Sequence, residues 1–321
     1  MISLDATLPA LYATIAPIFL VVAAGFLSAR TGLLSADAIR ALAAYAARVA
    51  APVMVFRAIA NSEPASLQQP GYLVAYAAGS CLAFAVCALC LRRVTNAQGP
   101  ALAFGALGGS FGNTLMVGFP LATLLYGDAA TVPLALTLLV EVAIVLPLAL
   151  TLAESRHEHG PAGLHALQRN LLNAARNPLV VGMVLGAVLA WSGLTLPTVV
   201  NDGLGLIAQT VAPVGLFVIG GLMVGYRPVG EFARQAIVVP SKLVLHPLAV
   251  CLAMWLCGVR DPLLIGPALC FAAGPIFGAY AALSHQYGIG PQSAALMVAT
   301  TVGAALSMPL VLWSLARLLS T

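Results

Sequence analysis

Four ionisable residues stand where an apolar chain should carry none. Glu141 lies in Leu138-Leu139-Val140-Glu141-Val142-Ala143, with no charge near it in sequence. An ionisable side chain inside an apolar span is expensive and is a functional candidate by default. Burial disfavours the charged form of such a carboxyl, which suits proton coupling. The competing reading is a protonated Glu hydrogen-bonded to a neighbouring helix. Lys242 and His246, one turn apart in another apolar run, either meet Glu141 or lie near the edge of the span. These three are the proton-coupling candidates. Arg48, set between Ala46-Ala47 and Val49-Ala50-Ala51-Pro52, has the donors to grip a carboxylate through two parallel N–H bonds. It can equally reach the span edge or face a second copy of the chain.

Other chemistries find no support. No nucleophile–base pair or metal cluster sits at matched depth, so an intramembrane enzyme is not expected. His157-Glu158-His159 lacks the His-Glu-x-x-His spacing of a zinc protease and reads as a solvated loop. The six cysteines, Cys81, Cys87, Cys90, Cys251, Cys257 and Cys270, lie in or beside apolar segments and read as packing residues. No cofactor or metal is expected. The net charge of +4 comes without a basic tract, so nucleic acid is not an expected partner.

The elements that hold these residues follow from composition. The 321 residues are 61% hydrophobic and 7% charged, whereas soluble domains carry roughly 25% charged residues. The surface must face lipid. A spanning helix needs about 20 mostly apolar residues, and ten such runs are expected, at 8–28, 37–60, 70–92, 100–125, 130–153, 176–193, 200–224, 232–257, 261–286 and 290–319. The start carries Asp5 and no basic stretch, so the first helix is expected to be retained. The one long polar stretch, 154–175, reads as a linker between halves at 1–153 and 176–321. Arg30, Arg92 and Arg93, then Arg156, Arg169 and Arg176, then Arg227 and Arg234 fall in alternate links. The intervening links hold Glu63, Asp128, and Arg260 with Asp261. Basic links face the cytoplasm, so both termini are expected outside, in an inner membrane.

The two halves are related. An offset of 161 positions joins Pro17 to Pro178, Gly25 to Gly186 and Gly32 to Gly193. The same offset joins Ala51-Pro52-Val53 to Ala212-Pro213-Val214, Phe56 to Phe217 and Tyr126-Gly127 to Tyr287-Gly288. An odd number of spans per copy turns the second copy upside down, the inverted-repeat plan of many carriers. The fold class expected is an all-α membrane protein of ten helices in a 5+5 inverted repeat.

The repeat pairs the fourth span with the ninth. The fourth contains Phe111-Gly112-Asn113-Thr114 and then Gly118-Phe119-Pro120, and the ninth contains Gly274-Pro275-Ile276-Phe277-Gly278. Proline removes a backbone donor and glycine weakens a helix. Broken backbone in lipid persists only where it is buried or lines a site. Both spans are expected to break near Asn113 and Pro275, where helix ends with a partial positive charge would favour an anion. The competing reading is two kinked helices packed by small residues.

These motifs resemble the fourth and ninth helices of the auxin efflux carrier family, which includes the plant PIN carriers. The carrying residues are Asn113-Thr114-Leu115, Gly118-Phe119-Pro120 and Tyr126-Gly127 in the fourth span. In the ninth they are Pro275 and Ala282-Leu283-Ser284-His285-Gln286-Tyr287-Gly288, then Pro291. The resemblance covers nearly the whole chain. It departs at Gly112, where PIN carriers tend to have proline, so glycine flexibility would set the crossing here. The long central PIN loop is missing, as in short bacterial members, several of which are described as malonate or small-carboxylate carriers. The resemblance implies that helices four and nine unwind and cross. It implies a scaffold of helices one, two, six and seven, dimeric as a rule, and a transport unit that moves like an elevator. The expected function is secondary transport of a small organic anion, a mono- or dicarboxylate such as malonate or an auxin-like acid. The partners are membrane lipid and a coupling proton. A relation to bile-acid sodium symporters leaves sodium open, and a passive anion channel is the remaining class. The candidate substrate-binding residues are Gly112, Asn113, Thr114, Gly274, Pro275 and Gly278, with Arg48 secondary.

Overall fold

A computed structural model describes residues 8–154, 164–224 and 232–320. Arg156, the His157-Glu158-His159 tract and Arg227 lie outside the described residues. Every element described is helical, and the chain contains no strand among those residues. The helices are α1 (Leu8–Arg30), α2 (Ala36–Ala60), α3 (Pro70–Val94), α4 (Gly99–Gly108), α5 (114–126), α6 (131–154), α7 (Leu164–Ala175), α8 (Pro178–Ser192), α9 (Thr198–Leu222), α10 (Phe232–Leu256), α11 (Pro262–Ala273), α12 (Tyr280–His285) and α13 (Gly290–Ser320).

Seven helical runs among the described residues are long and apolar enough to cross a membrane, and an eighth if the bent pair α7–α8 counts as one. The longest run, Thr114–Glu154, holds both α5 and α6. It is divided at Gly127, whose φ of 60° ends the first helix. α4 and α11 are shorter apolar helices, each stopping at one of the breaks expected from Gly112-Asn113 and Gly274-Pro275. Part of the expected linker is helical. Leu167 and Leu171 give α7 an apolar side, and its run from Leu167 meets α8 at a bend of 59°.

Large apolar side chains cover the outside, among them Leu20, Leu27, Val74, Val188 and Leu306. In water such a continuous apolar coat would aggregate; against lipid it costs nothing. Inside, small residues let helices touch backbone to backbone. α1 packs along the second half of α9, and α8 along the second half of α2. A Cβ on Gly25 would sit 1.9 Å from the Phe217 carbonyl oxygen, and one on Gly186 would sit 2.6 Å from that of Phe56. α3 packs against α10, with α4, α6 and α11 beside them, and α6 also touches α2.

Four widened turns interrupt the helices: Ala46–Ala50, Thr114–Gly118, Glu141–Val145 and Ser241–Leu245. In each the closing N–H reaches back five residues, as from Phe119 to the Thr114 carbonyl or His246 to that of Ser241. The cause is in the sequence. Each turn ends two residues before a proline, Pro52, Pro120, Pro147 or Pro247. Proline has no N–H and its ring clashes with the carbonyl four residues back. Widening the preceding turn relieves that clash. Such turns recur at functional sites, and here they hold Arg48, Thr114, Glu141 and Lys242.

Candidate functional site

The two breaks meet main chain to main chain. The Asn113 amide donates to the Pro275 carbonyl at 2.7 Å, and Gly112 pairs with Ile276 as an isolated antiparallel bridge. Gly112 allows this approach, since a Cβ there would lie 2.4 Å from the Phe271 carbonyl oxygen. The Ile276 amide, which a helix would otherwise satisfy, donates to Thr300 Oγ1 of α13 at 3.3 Å. The Phe111 and Phe277 rings seal one side, with centroids 4.4 Å apart.

Asn113 starts the second half of the broken helix. Its Oδ1 accepts from the Met116 amide at 3.3 Å, an N-cap bond. Its carbonyl accepts from the Val117 and Gly118 amides. Its Nδ2 is buried and has no hydrogen-bond partner among the described residues. A buried amide donor left unpaired costs free energy, so a ligand that accepts from it gains that much.

Glu141 is fully buried beside this start. Its Oε1 accepts from Thr114 Oγ1 at 2.8 Å, the Gly112 amide at 3.3 Å and Tyr76 OH at 3.5 Å. Its Oε2 has no hydrogen-bond partner among the described residues. Lys242 and His246 are fully buried as well. Lys242 Nζ donates to the Ala272 carbonyl at the end of α11, where a cation complements the helix dipole. His246 Nδ1 lies 3.0 Å from Lys242 Nζ and its Nε2 lies 3.0 Å from Ser80 Oγ. The ring therefore bridges Lys242 and Ser80, with the direction of each bond set by its tautomer. Glu141 and Lys242 do not pair: the ion pairs among the described residues are Arg40–Asp37 and Arg169–Glu154. Each side chain instead holds one broken helix, Glu141 at the start of α5 and Lys242 at the end of α11.

The structure thus gathers Gly112, Asn113, Thr114, Glu141, Gly274, Pro275, Lys242 and His246 into one buried cluster. Gly278 faces Met116, whose sulfur would lie 3.5 Å from an added Cβ. Arg48 is not gathered in; it is exposed on its widened turn. Sequence reasoning missed Tyr76, Ser80 and Thr300, ordinary polar residues whose partners come from remote spans. It also missed Arg57, an arginine inside an apolar segment and therefore visible in principle.

A many-helix, lipid-coated chain with two helices broken face to face and charges buried unpaired beside them is built as a membrane transporter rather than an enzyme. Residues 10–312 match the family described as Membrane transport protein. The chain belongs to that family, the auxin efflux carriers. It is similar to a protein of Rhizobium meliloti (strain 1021) named "Putative malonate transporter", with 27% identity over 266 residues, covering 80% of this chain and 81% of that one.

Proposed function

We propose that the chain is a secondary active transporter of a small organic anion, a mono- or dicarboxylate, held at the meeting of the two breaks. The observation that carries this is the unpartnered, buried Asn113 Nδ2 at a main-chain crossing. A donor at that point favours an acceptor-bearing ligand. The name of the Rhizobium relative supports malonate as the first substrate to try. Gly112, Thr114, Gly274, Pro275 and Gly278 shape the site, with Arg48 a secondary contributor from the outer surface.

The architecture proposed is ten crossings in an inverted repeat. Support comes from backbone geometry at the repeat offset. Gly32 and Gly193 both have positive φ, 77° and 70°, and so do Gly127 and Gly288, 60° and 77°. The contact of Gly25 with Phe217 is mirrored by that of Gly186 with Phe56. The residues 161 apart in sequence therefore exchange places across one interface. The grouping of α1, α2, α8 and α9 apart from α3, α6, α10 and α11 supports a scaffold, dimeric through its outer face, and a unit that moves against it. Glu141 is the proposed proton carrier. Saturable uptake of malonate against its gradient into proteoliposomes tests the reading. Asn113→Ala should abolish uptake while the protein stays monodisperse, and near wild-type uptake would place the amide outside the site.

A further inference from the structure

One cavity is lined by none of the residues of the crossing. It is a cleft of about 490 Å³ between α2 and the α5–α6 turn. Met54, Arg57 and Asn61 line one wall, Asp128 and Thr131 the other, and Ala208 and Gln209 of α9 the floor. A second, apolar cavity of about 400 Å³ continues it and shares Met54, Phe119, Ala208 and Gln209. Phe119 belongs to the broken helix that starts at Asn113, so the cleft leads towards the crossing.

Arg57 is the one cation on this cleft. Its guanidinium is held by one edge. Nε donates to the Asn201 carbonyl at 3.2 Å and to Asn201 Oδ1 at 3.1 Å. Asn61 Nδ2 also donates to that Oδ1, at 3.3 Å, which fixes the Asn201 side chain. Gly205 lets the guanidinium lie flat on α9, for a Cβ there would sit 3.3 Å from Cζ. Neither Nη atom has a hydrogen-bond partner among the described residues, and Asp128 across the cleft is not ion-paired with Arg57. A guanidinium fixed at Nε with both Nη groups unused is pre-organised to take a carboxylate through two parallel bonds.

We infer that Arg57 is the capture residue of the transported anion, binding its carboxylate in this cleft before it reaches Asn113. The inference rests on the anion reading above and gives it a second station. The opposed Asp128 makes the cleft dipolar, so the carboxylate is turned towards Arg57 and away from the α5–α6 turn. A full charge at a cleft mouth also raises the rate of anion encounter in a salt-dependent way.

The test is binding to the purified full-length chain, by competition with radiolabelled malonate and hexanoate, with malonamide and hexanamide as neutral controls. Wild type should bind at least one acid and neither amide. Arg57→Gln should weaken that acid by tenfold or more, beyond any loss in Arg48→Gln. Arg57→Lys should fall between, and Asp128→Asn should tighten binding a few-fold. Wild-type affinity in Arg57→Gln, with the acid preference intact, overturns this inference and leaves the anion reading standing. Binding of the amides as well as the acids, or of no acid at all, overturns both. If Arg57→Gln does not fold, unchanged affinity in both Arg57→Lys and Asp128→Asn overturns the inference.

Discussion

At Gly112 and Gly274 the same residue type answers two different demands. A Cβ on Gly112 would strike the Phe271 carbonyl at 2.4 Å, and that backbone cannot step aside. On Gly274 the nearest atom would be 3.4 Å away, an ordinary contact, and its φ of −62° suits any residue. Gly112→Ala should therefore cost about 1–3 kcal/mol, the range for overpacking, and abolish uptake. Gly274→Ala should melt close to wild type and lose less uptake than Gly112→Ala. Thermal melts beside uptake assays check the pair, and equal damage would mean that Gly274 needs its flexibility rather than its space. Glu141 makes a different prediction. With one carboxylate oxygen holding Thr114 and Gly112 and the other unpartnered, Glu141→Gln should keep the fold and flatten the pH profile of uptake. An unchanged profile at comparable rates would assign Glu141 to structure alone. Glu141, Asn113 and Pro275 were legible in the sequence because charge, amide and proline are anomalies in an apolar run. Lys242 and His246 were legible as residues but not in their place, since their depth depends on which helix end lies opposite.

Helices here are shaped by proline before they are shaped by packing. The positions of Pro52, Pro120, Pro147 and Pro247 could be read directly. Their effect could not, because a proline can kink a helix, break it or widen the turn before it, and only neighbouring helices decide which. The breaks near Asn113 and Pro275 were legible because glycine and proline act together there. α7 is hard to see in the sequence because charged and polar residues crowd the stretch that carries Leu167 and Leu171. Its role is to tie elements together. Arg169 and Asn170 of α7 and Tyr287 after α12 all bond Glu154 at the end of α6. The Tyr287 phenol, pushed up to about 12 chiefly by burial and then by Glu154, keeps its proton and goes on donating. At the α1–α9 contact, a Cβ on Gly220 would lie 1.8 Å from the Val22 carbonyl oxygen. Gly220→Leu should force these helices apart and reduce the monodisperse fraction on size exclusion. Substitution of Gly203, where a Cβ meets nothing within 4 Å, should be silent.

For the whole molecule, the membrane class and the family were legible from composition and from two motifs. The alternation of basic and acidic links yields one further expectation: the Arg30 link inside and the Glu63 and Asp128 links outside. In intact cells, with Cys257 replaced by serine, an impermeant thiol reagent should label Glu63→Cys and spare Thr31→Cys, and the reverse pattern would invert the topology. The cleft at Arg57 opens among those same Glu63- and Asp128-side links, so this topology also makes it the outer mouth. Neither cavity could have been read from the sequence, because both lie between helices far apart in the chain. The bond from the Asn113 amide to the Pro275 carbonyl has a use of its own. It is a clock hand: its hydrogen is withheld from deuterated solvent only while the two broken helices stay joined. If they travel as one rigid piece, exchange at Asn113 should stay slow throughout turnover while amides around the cleft quicken and slow with substrate. If the crossing itself parts to release cargo, that single hydrogen should be lost at the pace of transport.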